Sequence, residues 1–276
     1  MTELTKRVIV AIFGIPALLG LSYLGGYYFF FLLLLINGMA QWEFYSMFQE
    51  KQIYAYKWTG VIFGTLFLIF TFFNTPLHLI ILFFISVLTI LLMQVLNQES
   101  IASINSSITL IGYVYISIFL STLLKLRLSF ENLVPGVGEG SGNDGGIFLV
   151  ILWISIWICD TAAYSGGRKL GKHKLAPVVS PKKTVEGAIF GFIFGIATFV
   201  LLGHFLLPNI PVKYFWICGL IVSIFGQLGD LVESRFKRDS GVKDTSTILP
   251  GHGGFLDRFD SLIFVSPFLY GLFYLF

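Results

Sequence analysis

The chain has 276 residues, of which 56% are hydrophobic and 12% charged. A soluble globular domain carries about 25% charge, so this composition excludes one and makes the bilayer the solvent for most of the chain. The formal net charge is only +3, and the placement of the charges matters more than their sum.

Met1 to Arg7 leads straight into a long apolar run with no small-residue cleavage site, so no signal peptide is expected. A membrane-spanning helix needs roughly 20 apolar residues. The hydropathy pattern predicts nine such spans, at about 8–24, 26–47, 58–74, 77–96, 105–124, 146–166, 186–207, 213–233 and 256–275. The expected fold is therefore an all-α polytopic membrane helix bundle. Short joins at Gly25-Gly26 and Thr75-Pro76 imply tight helical hairpins, and no repeat of fixed period is visible. Residues 1–125 read as N-terminal membrane helices, a scaffold for the bundle or an oligomer. Residues 126–276 read as the region that carries chemistry, with its loops in the cytoplasm.

Orientation follows from lysine and arginine in the loops. With the N-terminus inside, fifteen of the eighteen basic residues fall on the cytoplasmic side, and Lys125, Arg127 and Lys213 remain outside. The expectation is an integral protein of the cell membrane, with its N-terminus and its basic loops cytoplasmic.

The first half holds little chemistry. Trp42 and Trp58 read as interfacial anchors. Glu43 is the one acid close to a span there, and it reads as an interfacial or bundle-facing structural residue. The lone histidines His78 and His204 fall near outer ends. Residues 129–146, SFENLVPGVGEGSGNDGG, lack lysine and arginine and carry Glu139 and Asp144, so they read as an external connector and not a phosphate cradle. Cys159 and Cys218 lie in apolar runs and read as small buried hydrophobes with no disulfide.

Chemistry begins in the sixth span. Asp160 sits near its cytoplasmic end, where an ionisable group is expensive and marks a functional candidate. Tyr164, one turn on, shares its helix face. The following loop is strongly basic, and within it Lys182 and Lys183 can meet phosphates. Ser180 or Thr184 can cap the next helix, whose N-terminus favours anions. Glu186 is expected to cap and to orient lysine and not to bind phosphate, since like charges repel. The eighth span ends GQLGDLVESRFKR, which puts Asp230, Glu233 and Ser234 on one helix face. From Ser234 to Asp260 runs the most polar stretch of the chain. Arg235, Lys237, Arg238, Lys243 and Arg258 stand there with Asp239, Asp244, Asp257 and Asp260. Gly251, Gly253 and Gly254 surround His252, and bare backbone beside cations suits a phosphate. The trailing Asp257 and Asp260 suit a hard divalent metal.

Three blocks carry a resemblance. They are Asp160-Thr161-x-Ala163-Tyr164-x-x-Gly167-Arg168-x-x-Gly171-Lys172, Ser180-Pro181-Lys182-Lys183-Thr184-x-Glu186-Gly187, and the run from Ser234 through His252-Gly253-Gly254-x-x-Asp257-Arg258-x-Asp260. Together, over roughly residues 159–261, they resemble the phosphatidate cytidylyltransferases, also called CDP-diacylglycerol synthases. The resemblance implies CTP and phosphatidate as substrates and Mg²⁺ as cofactor, with a second cation left open. It makes Asp230 and Asp257 metal ligands, with Asp160, Glu233 and Asp260 as further candidates. It makes Lys182, Lys183, Arg235, Lys237, Arg238 and Arg258 the groups that position and neutralise phosphate. Ser180, Ser234, Tyr164, Lys243, Gly253 and Gly254 complete the implied site. His252 belongs to it as either a phosphate donor or a loop organiser. No nucleic acid is expected as a partner, and a homodimer is left open. A synthase for an ether-linked lipid phosphate shares these motifs. A cation-coupled transporter would show interrupted helices in both halves, whereas the acids here gather in the second half. An intramembrane aspartyl protease would carry Gly-x-Gly-Asp, where this chain reads Gly226-Gln227-Leu228-Gly229-Asp230.

Overall fold

The computed structural model describes residues 3–97, 102–135, 137, 142–248 and 253–275, with side chains from residue 11 onward. Among them stand nine long helices: α1 (Glu3–Leu24), α2 (Gly26–Met47), α3 (Lys57–Phe72), α4 (Pro76–Leu96), α5 (Ala102–Leu128), α6 (Asp144–Leu170), α7 (Val185–Leu206), α8 (Val212–Ser240) and α9 (Leu256–Leu275). The expected all-α bundle is what the chain forms. Five of these helices, α4 to α8, are long and apolar enough to cross a membrane, and α3 is a shorter apolar helix. A π-turn, Tyr113–Ile118, interrupts α5. A small antiparallel hairpin, β1 (Lys174–Ala176) and β2 (Ser180–Thr184), pairs Lys174 with Thr184 and Ala176 with Ser180. The sequence pattern did not foretell this hairpin, because its strands are short and lysine-rich.

Two helices outrun their expected ends. α6 continues to Leu170 and carries Arg168 and Lys169 in its last turn, where cations suit the helix dipole. α8 continues to Ser240, so Arg235, Lys237 and Arg238 are helical and not loop residues as expected. Ion pairs at i,i+4 spacing, Glu233 with Lys237 and Arg235 with Asp239, support the extra turns. Gly241, at φ 83°, then stops the helix in the left-handed conformation that glycine adopts freely.

The loops sort to two ends of the bundle. At one end the Tyr23 carbonyl accepts hydrogen bonds from Arg127 and Asn143, and Lys125 donates to Asn74. At the other end the Tyr54 amide donates to Asn105 Oδ1 at 2.9 Å and the Tyr56 amide to Thr109 Oγ1 at 2.8 Å. The loop before α9 docks there on Glu43 as well.

Two packing devices hold the second end in place. The first is aromatic: Phe44 of α2 and Tyr115 of α5 meet Phe236 of α8, and Tyr115 also meets Phe264 of α9, with ring centroids 5.1 to 6.4 Å apart. The second is a stripe of small residues. Gly187, Gly191 and Gly195 recur every fourth position on α7, the pattern that lets membrane helices approach at backbone distance. A Cβ at Gly187 would lie 2.6 Å from the Ala163 carbonyl oxygen, and one at Gly191 3.0 Å from that of Cys159. α6 and α7 are thus in near backbone contact, and Asp160 and Tyr164 sit beside the hairpin that precedes α7.

Gly191→Leu should force these helices apart and destabilise the protein by about 1–3 kcal/mol, the usual cost of overpacking. Thermal unfolding in detergent, with Ile189→Leu on the exposed face of α7 as reference, checks this. An unchanged midpoint for Gly191→Leu would contradict the close packing.

Candidate active site

The turn between α6 and α7 is built by two side chains. Thr184 has extended backbone and its hydroxyl accepts the Gly187 amide at 3.2 Å, so of the two residues offered as caps Thr184 is the one that caps α7. Glu186 takes the Lys172 amide at 3.0 Å and the His173 amide at 3.2 Å, and its Oε1 lies 2.6 Å from His173 Nδ1. The expectation that Glu186 orients lysine is therefore corrected. Its partners are the His173 ring and the bare amides where α6 ends, and the carboxylate fastens the base of the hairpin to them. Lys182 and Lys183 stand on β2 as a result.

The hairpin, the ends of α6 and α8 and the start of α9 enclose a cleft of about 590 Å³, within the size range of small-molecule sites. Asp160, Asp230, Glu233, Asp257 and Asp260 line it together with the cations Arg168, Lys182, Lys183, Lys237 and Arg258. Tyr164 lines its exposed rim. Ten of the residues expected in the site are thus brought together from α6, β2, α8 and α9.

The acids differ in what they touch. Asp230, Glu233 and Asp260 each offer a carboxylate oxygen within 4.8 Å of the others. Lys183 Nζ lies 2.6 Å from Asp230 Oδ2, and Lys237 Nζ lies 2.5 Å from Glu233 Oε2. Glu233 is fully buried, yet its Oε1 has no hydrogen-bond partner among the described residues. A buried polar oxygen left in that condition is costly. Three converging hard oxygens with one unsatisfied fit a divalent cation.

Asp257 is occupied otherwise. Its Oδ1 takes Lys237 Nζ at 2.7 Å. Its Oδ2 takes the Thr245 amide and hydroxyl, both at 3.0 Å, and the Gly254 amide at 2.8 Å. It sits in the first turn of α9, where the exposed amides favour an anion. The converging oxygens belong to Asp230, Glu233 and Asp260, and Asp257 stands beside them as the organiser of the loop before α9.

The remaining expected residues lie around the cleft. Ser234 is buried and its hydroxyl is 3.3 Å from Asp230 Oδ1. Arg235 is half exposed and pairs with Asp239. Arg238 donates to the Val179 carbonyl at 3.1 Å and the Val242 carbonyl at 3.3 Å, which ties the hairpin to the end of α8. Ser180 opens β2 and Lys243 is exposed, and neither lines the cleft. Gly253 has φ 82°, and Gly254 packs so closely on Thr245 and Glu43 that no side chain fits there. His252 lies outside the described residues, as do Pro250 and Gly251.

Sequence reasoning did not single out Gln227 or Thr245. Gln227 donates to the Ala188 carbonyl at 3.2 Å and the Ser223 carbonyl at 2.8 Å, which joins α8 to α7 beneath the acids. Its signal was visible, since an amide in an apolar run one turn before Asp230 is unusual. Thr245 carried no signal, because a threonine in a polar loop is ordinary.

A membrane helix bundle with carboxylates facing lysines in one cleft defines a class, integral-membrane proteins with a charged cleft at one end of the bundle. The sequence profile of the cytidylyltransferase family matches residues 5–276, and the chain belongs to that family. It is 44% identical over 173 residues to the phosphatidate cytidylyltransferase of Staphylococcus haemolyticus (strain JCSC1435), a match covering 58% of this chain and 66% of that relative. Its identity to the enzyme of the same name from Staphylococcus saprophyticus is 43%, and to that from Staphylococcus epidermidis 41%, with the same coverage. The chain thus matches 66% of the length of these relatives.

Lys237 lies within ion-pair distance of both Glu233 and Asp257. Lys237→Met should remove the cation these two acids share and destabilise the protein by about 3–5 kcal/mol, as when one partner of a buried pair is removed. Arg235→Ala removes an exposed pair and should cost less than about 1 kcal/mol. Thermal unfolding of the two variants side by side checks the contrast. Equal, small losses would mean that the Lys237 pairs are solvated.

Proposed function

We propose that the chain transfers the cytidylyl group of CTP to phosphatidate, giving CDP-diacylglycerol and pyrophosphate, and so serves phospholipid synthesis. The observation that carries this reading is the convergence of Asp230, Glu233 and Asp260 beside Lys183 and Lys237 within the cleft. Family membership and the names of the relatives support it. Residues 126–276 carry the chemistry on the scaffold of residues 1–125.

In this reading a phosphate oxygen of phosphatidate attacks the α-phosphorus of CTP in line. The bond from the α-phosphorus to the bridging oxygen breaks, and pyrophosphate leaves with that electron pair. The attacking oxygen is already anionic at neutral pH, so no strong general base is required. The residues act by positioning and by neutralising charge. Lys182, Lys183 and Arg258 meet the phosphates along the cleft wall. Asp230, Glu233 and Asp260 hold Mg²⁺, which supplies Lewis-acid neutralisation of the phosphate charge when bound. Asp160, on the neighbouring helix, is placed for a second cation. Asp257 keeps Lys237 and the loop before α9 in register.

Purified protein incubated with Mg²⁺, phosphatidate and CTP labelled in its α-phosphate should yield labelled lipid. Label in the γ-phosphate should leave as pyrophosphate. Lipid labelled from the γ-phosphate would mean a kinase-like transfer and would sink the assignment. Asp230→Asn should lower turnover by about 10²–10³-fold, the scale of losing one electrostatic group at a reacting centre.

The cleft end of the bundle faces the cytoplasm in this proposal, as the distribution of basic residues supports. Cys159 and Cys218 are buried, so single added thiols can report sidedness. An impermeant thiol reagent on intact cells should label Lys213→Cys and spare Lys174→Cys. The reverse pattern would invert the topology.

A further inference from the structure

Among the described residues, Glu43 is the acid of the first half that lies against the site, and it is 1% exposed. A carboxylate buried that far must be met by donors. Four donors reach it: the Thr245 hydroxyl at 3.0 Å, the Ser246 hydroxyl at 2.6 Å, and the Phe255 and Leu256 amides at 3.0 and 2.9 Å. The two amides belong to the start of α9, so Glu43 caps that helix from another part of the chain. A cap alone would account for these two bonds.

The Thr245 hydroxyl does more. It lies 3.0 Å from Glu43 Oε2 and 3.0 Å from Asp257 Oδ2. Both carboxylates are acceptors only, and one hydroxyl has one proton to donate. The two acids therefore compete for it. From Asp257 the contacts continue to Lys237 at 2.7 Å and from Lys237 to Glu233 at 2.5 Å. A continuous chain thus runs from Glu43 through Thr245, Asp257 and Lys237 to the acidic cluster.

We propose that Glu43 and Thr245 are positioning residues that set how Lys237 is shared between Asp257 and Glu233, and so set the affinity of the acidic cluster for a divalent cation. This rests on the reading of Asp230, Glu233 and Asp260 as the cation site. When Glu43 draws the Thr245 proton, Asp257 is less satisfied and holds Lys237 more firmly. Glu233 is then freer to take the cation. Without the charge of Glu43 the Thr245 proton goes to Asp257, Lys237 leans on Glu233, and the cation binds less well. Without the hydroxyl of Thr245, Asp257 lacks a donor, holds Lys237 harder, and releases Glu233.

The two substitutions therefore push in opposite directions, which loss of a structural anchor would not produce. Binding of Mn²⁺ alone to purified protein, followed by electron paramagnetic resonance, reads this without turnover. Glu43→Gln should weaken Mn²⁺ binding about 10-fold, the lower end of what outer partners of metal ligands contribute. Thr245→Val should tighten it, and Thr245→Ser, which keeps the hydroxyl, should match the wild type. Wild-type binding in Glu43→Gln and Thr245→Val, or weakening in both, would overturn the proposal and leave Glu43 as a cap for α9. Loss of a monodisperse detergent profile in both would overturn it in the same way. A wild-type protein that binds no Mn²⁺ would instead strike at the reading of the acidic cluster.

Discussion

Everything at the working end of this protein follows from the cost of gathering carboxylates inside a membrane bundle. Two like charges a few ångströms apart repel strongly where the effective dielectric constant is low, and here three acids bring oxygens within 4.8 Å. Such a cluster persists only if cations and donors face it. Lys183 and Lys237 supply the positive charge at 2.6 and 2.5 Å. Neither could do so from a freely moving loop, and the fold anchors both. Lys183 stands on a strand fastened at its base by Glu186 and Thr184, and Lys237 rides the extra turns of α8.

Geometry at this end is set by helix termini more than by helix bodies. α6 ends where the hairpin begins, α7 starts from the Thr184 cap, α8 stops at Gly241, and α9 starts on the donors that Glu43 accepts. The glycine stripe of α7 brings the first two of these termini together at backbone distance. Gln227 and Ser261 close the gaps behind, Ser261 donating to the Gly226 carbonyl at 3.0 Å. The cleft is thus a space between ends of elements that are themselves rigid, a common way to hold a binding site steady.

Much of this was legible in the sequence for reasons that can be named. Apolar runs near span length give the helices, because a bilayer admits few other solutions. Asp160, Asp230 and Glu233 stand out because charge in an apolar run is costly, and they do meet in one cleft. What could not be read was how neighbouring charges divide their partners. Asp257 and Asp260 are three residues apart on the same helix, yet one caps a loop and the other joins the cluster. That distinction depends on Thr245, which carries no pattern of its own, and on the Gly254 amide, which the glycine motif offered to a phosphate and not to a carboxylate. Glu43 was legible only as an interfacial or bundle-facing structural acid, because its partners lie some two hundred residues away. Arg235 and Arg238 were legible as charge near a phosphate motif but not by their contacts. Positive charge near a phosphate motif looks like phosphate chemistry, while one pairs with Asp239 and the other holds the hairpin.

The π-turn of α5 has a consequence for how the protein meets membranes of different thickness. Tyr113, Tyr115, Ile116 and Ser117 of that turn are all buried, and 56% of the apolar window of α5 is covered by other helices, against 17% for α4. Hydrophobic mismatch is relieved by helices that touch lipid, through tilt or local bilayer deformation. The peripheral α4 is free to respond in this way. α5 is held more firmly, with Tyr115 wedged against α8 and α9. A change in bilayer thickness is therefore absorbed at the rim of the bundle, while the depth of the acidic cleft stays fixed by its own packing.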